Sequence, residues 1–128
     1  MARYYVYQGS DYRAQLVDDF FDNWTVQVRK GLLELCILNA LSDRERYGYE
    51  LVKTLVGIPG LGVTEGTLYP LLSRLRVQDL ITARLEESSE GPARKYYALT
   101  REGRKIKATM NSYLETLQQG ARKLQKGA

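Results

Sequence analysis

From Leu16 onward the apolar residues of this chain recur at helical intervals. Val17, Phe20, Phe21, Trp24 and Val28 stand three and four apart, with Asp18, Asp19 and Asp22 mostly off that stripe. The spacing predicts an amphipathic helix. Leu32 to Leu41 is apolar nearly all round apart from Glu34 and Asn39, as expected of a helix buried in a small domain; Ser42 and Asp43 begin its exit. Tyr47 to Val56 predicts a further helix with Leu51, Val52 and Leu55 turned inward, ended by Gly57, Pro59, Gly60 and Gly62. The next helix opens at Thr64, a good N-cap, with Glu65 suited to the positive end of the helix dipole. Its leucines, Leu68, Leu71, Leu72 and Leu75, form one clean stripe.

The period then shortens to two. Ile81, Ala83 and Leu85 alternate with polar residues, as do Lys95, Tyr97 and Leu99, and Glu87 to Pro92 is turn material. This predicts a two-stranded hairpin that must pack on the helices to be stable. Thr100 caps the last helix. Its apolar positions Ile106, Met110, Tyr113, Leu117, Gly120 and Leu124 are spaced as a narrow a/d seam. Such a seam buries itself against a second copy of the chain or against the Phe20–Trp24 helix, and both can hold at once.

The resulting fold is mainly α with a small β-hairpin: a winged helix-turn-helix with a C-terminal dimerisation helix and an N-terminal helical extension. It divides into an arm and amphipathic helix (1–23), a DNA-binding domain (24–100) and the dimerisation helix (101–128). The first twelve residues carry four tyrosines, Tyr4, Tyr5, Tyr7 and Tyr12, around a Gly-Ser break and read as an arm.

Composition narrows the chemistry. With 128 residues there is room for one core. There is no histidine and one cysteine, Cys36. The usual zinc sets and the Ser-His and Cys-His nucleophile pairs are therefore missing, and no phosphate-binding glycine loop occurs. No enzyme activity, metal or cofactor is expected. The longest apolar run is half of what a membrane span needs. The lone cysteine and the lack of a signal-peptide layout fit a cytoplasmic protein.

Net charge is +4, and the excess is local: residues 81–128 hold ten basic side chains against five acidic ones. Such a surface suits a polyanion, or is an ordinary solvated helix. In the helix after Thr64 the leucines are committed to the core, which leaves Thr64, Glu65, Gly66, Thr67, Tyr69, Pro70, Ser73 and Arg74 facing out. Thr67, Tyr69 and the first-turn amides suit phosphates, and Arg74 suits a phosphate or a guanine edge. Pro70 removes the bond to the Gly66 carbonyl, a cost of about 3 kcal/mol in an ordinary helix. Breaking that rule on an exposed face marks either a recognition surface or a locally bent helix.

Four runs carry a family resemblance: Gly31-Leu32-Leu33-Glu34-Leu35, Tyr47-Gly48-Tyr49-Glu50-Leu51, Gly66 to Leu75 (GTLYPLLSRL) and Arg94 to Arg104 (RKYYALTREGR). In order and spacing the chain resembles the PadR transcriptional regulators, in their compact subgroup with a single C-terminal helix. The resemblance implies a homodimer on an inverted-repeat operator, usually a repressor released by a small molecule or stress signal. It implies that Tyr47, Tyr49, Thr67, Tyr69, Arg74, Arg94 and Lys95 contact or border DNA, although an aromatic at Tyr47 or Tyr49 also suits the core. Of Tyr96 and Tyr97, which alternate faces, at least one is expected under the wing. Asp79 stands where the family commonly has glycine, and aspartate tolerates the left-handed turn better than most residues. Glu86, Glu87 and Glu90 on the wing would repel phosphate, which leaves Arg94 and Lys95 to carry its contact.

Those acids also favour an alternative, a protein-interaction module of the same fold without DNA binding. The dimer surface is assigned to Phe20, Phe21, Trp24, Ile106, Met110, Tyr113, Leu117 and Leu124. Trp24 and Tyr113 form walls for a flat aromatic effector between subunits, or Trp24 locks the N-terminal helix onto the last one. Cys36 is either a redox sensor or inert core filler.

Overall fold

The computed structural model describes residues 10–127, which form two compact units divided between Leu33 and Glu34. The elements are α1 (Ser10–Ala40), β1 (Arg46–Tyr47), α2 (Gly48–Val56), α3 (Glu65–Val77), β2 (Ile81–Ser88), β3 (Gly91–Leu99) and α4 (Arg101–Gln125). The two helices expected before residue 42 are one. A single glycine costs a helix about 1 kcal/mol relative to alanine, and neither a proline nor a polar turn accompanies Gly31 to stop it. The expected arm lies outside the described residues over 1–9, while Ser10 to Tyr12 already belong to α1.

The first unit is helical over its described residues. Gln15 Nε2 donates to Asp19 Oδ1 at 2.6 Å, and Thr25 Oγ1 to the Asp22 carbonyl at 2.8 Å. Its aromatic stripe is exposed in the single chain, Phe20 at 75%, Phe21 at 58% and Trp24 at 53%. The Phe21 and Trp24 rings stack with centroids 6.2 Å apart.

The second unit holds the core. Ile37 and Leu38 of α1, Leu41 just beyond its end, Leu51, Val52 and Leu55 of α2, and Leu68, Leu72 and Leu75 of α3 are fully buried, with Leu61 between the helices in sequence. Leu71, expected on the same stripe, is half-buried. Ile81, Tyr97 and Leu99 complete the core from the sheet. Burying a leucine or isoleucine side chain is worth about 1.5–3 kcal/mol, so this set dominates the stability of the unit.

The sheet has three antiparallel strands, ordered β1-β3-β2, one more than the expected hairpin. Arg46 pairs with Tyr97 and Tyr47 with Tyr96, so Tyr47 is a strand residue and the N-cap of α2 rather than a helical residue. On β2, Ile81, Ala83 and Leu85 face Leu99, Tyr97 and Lys95. The wing extends beyond the core along this row: Leu85 is 68% exposed. The turn is also tighter than expected, confined to Ser89–Glu90, and Glu87 sits in an irregularity between Glu86 and Ser88. Pro92 is tolerated in β3 because β1 reaches only Tyr96 and Tyr97, leaving β3 an edge at that point.

Two joints fix the wing and α4. Asp79 adopts φ 60°, the left-handed turn expected of it. Its carbonyl accepts from Thr100 Oγ1 at 2.7 Å, and that hydroxyl oxygen in turn caps α4 by accepting from the Gly103 amide at 2.9 Å. A Cβ on Gly103 would collide with the Leu80 carbonyl, so only glycine fits there. At the other end of the unit, Arg46 Nε donates to the Ala40 carbonyl at 2.5 Å and Arg104 to the Ser42 carbonyl at 3.2 Å. These cations supply the C-terminus of α1, whose own last turn has none. The Asn39 and Asn111 amides exchange two hydrogen bonds, at 3.0 and 2.7 Å, between α1 and α4.

Candidate nucleic-acid interface

Because Leu68, Leu72 and Leu75 take the inner face of α3, its other face is open. Thr64, Gly66, Thr67, Tyr69, Pro70, Ser73 and Arg74 are all exposed. Helix α3 continues through Pro70, and a Cβ added at Gly66 would meet only the Thr64 hydroxyl, at 3.8 Å, outside the helix's own backbone. Thr64 is at the N-cap position as expected, but its hydroxyl caps no amide. It lies 3.3 Å from Thr67 Oγ1 instead, so no side chain covers the first-turn amides, in contrast to Thr100 on α4. Arg74 is not unpartnered: its Nη2 is 3.0 Å from Glu34 Oε1 on α1.

The outward face of the sheet carries a second group. Tyr47, Tyr96 and Arg84 stand in one row across β1, β3 and β2, since Tyr47 pairs with Tyr96 and Tyr96 with Arg84. The Tyr47 and Tyr96 centroids are 5.8 Å apart, and Tyr49 is 6.2 Å from Tyr47. Three cations lie on these rings: Arg84 over Tyr96 at 4.8 Å, Arg94 over Tyr47 at 5.1 Å and Lys53 over Tyr49 at 5.2 Å. Arg84 also grips Glu45, with Nε 2.9 Å from Oε2, and that hydrogen bond holds the Glu45 carboxyl below its ordinary range. Glu86 approaches the same guanidinium at 3.9 Å.

The structure therefore sorts the expected contacts. Arg94 and Lys95 are adjacent but take opposite faces of β3: Arg94 shares the aromatic face, while Lys95 points the way of Tyr97 and Leu99. Tyr97 is the buried member of its pair, and burial pushes its phenol up, with Arg76 opposing and Tyr69 adding. The C-terminal basic excess does not all serve one surface, because Arg84 holds Glu45 while Arg104 and Lys107 bond to Ser42. Sequence reasoning missed Arg84, Tyr96 and Lys53 as partners of the tyrosines. The period-two alternation that places Arg94 and Tyr96 on one face was the available signal; the two-residue β1 gave none.

The remaining candidates lie elsewhere. On α4, Tyr113, Leu117 and Leu124 are exposed at 68%, 56% and 75%, while Ile106 and Met110 are half-buried. Cys36 is half-buried, and desolvation pushes its thiol up. Among the described residues no cluster suits a metal ion, and no helix is long and apolar enough to cross a membrane.

Comparison with known proteins bears directly on this arrangement. The profile of the Transcriptional regulator PadR-like family matches residues 37–109, from the end of α1 into α4. The chain is similar to a PadR-like transcriptional regulator of Bacillus cereus, with 38% identity, a TM-score of 0.71, and coverage of 80% of this chain and 99% of that one. A PadR family regulator from Eggerthella lenta is 32% identical with a TM-score of 0.74, over 89% of this chain and 99% of its own. The transcriptional regulator YqjI of Escherichia coli is 40% identical over 75 residues; the match spans 57% of this chain but only 34% of that longer protein.

Proposed function

The chain belongs to the PadR-like family of transcriptional regulators, and from that premise we propose that it is a homodimeric repressor that reads an inverted-repeat operator. Helix α3 enters the major groove with Thr64, Thr67, Tyr69, Pro70, Ser73 and Arg74, and the wing lays Arg94 along the phosphates, with Lys95 on its other face. Tyr47 and Tyr49 border the same DNA. The observation that carries this reading is the division of α3 between a leucine face at 0% exposure and a polar face open to solvent from Thr64 to Arg74. That division leaves donors aimed outward from a helix of groove-filling width.

The exposed apolar side chains support a dimer. Tyr113, Leu117 and Leu124 on α4, and Phe20, Phe21 and Trp24 on α1, are covered by a second copy, with Ile106 and Met110 at the edge of the seam. Two-fold symmetry then demands a palindromic operator. Release comes from a small molecule or stress signal; a flat aromatic effector would stack on Trp24 and Tyr113 at the subunit boundary. The protein acts in the cytoplasm and uses no catalytic chemistry.

A second reading, a protein-interaction module, draws on the Glu86, Glu87 and Glu90 carboxylates at the wing tip, which repel DNA. Site selection from random duplexes separates the two. The wild type enriches one palindrome, Tyr69→Ala shifts the enriched sequence, and Arg94→Ala weakens every sequence alike. Recovery of no duplex by the wild type favours the second reading.

A further inference from the structure

We propose that Tyr47 is a positioning residue, which serves DNA binding by holding the Arg94 guanidinium and not by touching DNA itself. The inference rests on the DNA-binding reading and assigns the wing contact within it. The wing offers two arginines on one face, Arg84 and Arg94, and the structure gives them opposite fates. Arg84 directs its N–H edges into carboxylates, bonding Glu45 and lying 3.9 Å from Glu86. Its Nε and Nη2 donors are occupied by Glu45. Arg94 stands directly opposite Glu86 in the strand register, yet among the described residues it has no carboxylate within 4 Å. Its guanidinium carbon lies 5.1 Å from the Tyr47 ring centroid instead.

The difference matters because a guanidinium has two kinds of surface. Stacking uses its flat face and leaves the N–H edges available, whereas an ion pair consumes the edges. Arg94 is therefore held in place with its phosphate-binding donors still open. The placement follows from the sheet. Tyr47 pairs with Tyr96, and Arg94, two residues earlier on β3, is the diagonal neighbour on the same face. Tyr96 is backed in turn by Arg84 at 4.8 Å, so the ring that Tyr47 leans on is itself fixed. The role of the short strand β1 is thus to bring an aromatic face under the wing arginine.

The two assignments of Tyr47 differ at its hydroxyl. A direct phosphate contact needs the O–H, while a platform for Arg94 needs only the ring. The test measures affinity of the full-length protein for its own upstream duplex, with Tyr47→Phe, Tyr47→Leu, Arg94→Ala and the Tyr47→Leu/Arg94→Ala double variant. Tyr47→Phe should bind as the wild type does. Tyr47→Leu should lose about three- to fivefold, in line with an exposed cation–π contact. In the Arg94→Ala background it should lose less than about twofold more. The salt slope should fall in Arg94→Ala by about one phosphate contact. Thermal melts of the free proteins show whether Tyr47→Leu is folded; if it is not, the Tyr47→Phe comparison still decides. A loss in Tyr47→Phe equal to that of Arg94→Ala, or multiplicative losses in the double variant, would overturn the inference while leaving DNA binding intact. A wild type that binds no duplex would overturn both.

Discussion

The Glu34 carboxylate and the Arg74 guanidinium form an ion pair, Oε1 to Nη2 at 3.0 Å, that joins α1 to the exposed side of α3. Both side chains are more than a third exposed, so solvent screens the pair and it contributes less than about 1 kcal/mol to stability. Its larger consequence is for binding, since an arginine engaged by a carboxylate must share or leave that partner to reach DNA. Glu34→Gln should raise operator affinity by about twofold to fivefold, with a melting temperature close to that of the wild type. Fluorescence anisotropy on labelled duplex checks it. Weaker binding by Glu34→Gln would mean that the pair presents Arg74 to DNA instead of restraining it.

At Gly103 the backbone of α4 packs directly against Leu80. The Leu80 carbonyl, which already accepts from the Thr100 amide at 3.1 Å, occupies the space a Cβ would need. Gly103→Ala must push α4 away from the sheet and should cost about 3 kcal/mol, at the upper end for overpacking. Gly31→Ala is the contrast, because the site is helical and nothing lies within 4 Å of where the new methyl group would stand. It should gain about 0.5–1 kcal/mol. Urea unfolding of the two variants reads both effects.

The sequence displays the parts of the fold that repeat. The leucines of α3, the alternation of Ile81 and Ala83 and the Thr100 cap all follow from local spacing and local chemistry, and the left-handed turn at Asp79 was implied by the family resemblance. What it hides depends on contacts distant in sequence. Strand β1 is two residues long and exists only because Tyr47 meets Tyr96, forty-nine positions later, so no periodicity announces it. The aromatic and cationic group around Tyr47 is hidden for the same reason. The change from the striped Val17–Val28 segment to the all-round apolar Leu32–Leu41 run misled in the opposite sense: it suggested two helices, but the propensity cost of Gly31 between them is small beside the apolar burial that follows it in α1. The acids of the wing were legible, whereas the engagement of Arg84 by Glu45 needed the structure.

Cys36 discriminates between core filler and redox sensor. Burial raises its thiol, so at a given pH less thiolate is present than on a free cysteine. Iodoacetamide should label it more slowly than free cysteine near neutrality, with a pH–rate profile displaced to higher pH. Labelling then accelerates on unfolding. Faster labelling than the free amino acid at pH 7 would restore the sensor reading.

The α4 seam makes a separate demand on the assembly. Leu117 is 56% exposed and lies between Tyr113 and Leu124 on the same stripe. Leu117→Glu places a charge in the proposed subunit boundary without touching the core of the chain, and should convert dimer to monomer in sedimentation velocity. Circular dichroism should remain that of the wild type. A monomeric wild type, or an unaltered dimer in Leu117→Glu, would remove α4 from the interface.

The central claim is that this chain binds duplex DNA through α3 and the wing. Its most direct test is the affinity of the wild-type protein for its own upstream duplex, measured at a series of salt concentrations. Phosphate contacts release counterions, so the logarithm of the binding constant should fall linearly and steeply with the logarithm of salt. At each salt concentration that duplex should outcompete a scrambled one of equal length. Binding that is absent, or insensitive to salt, would contradict the account.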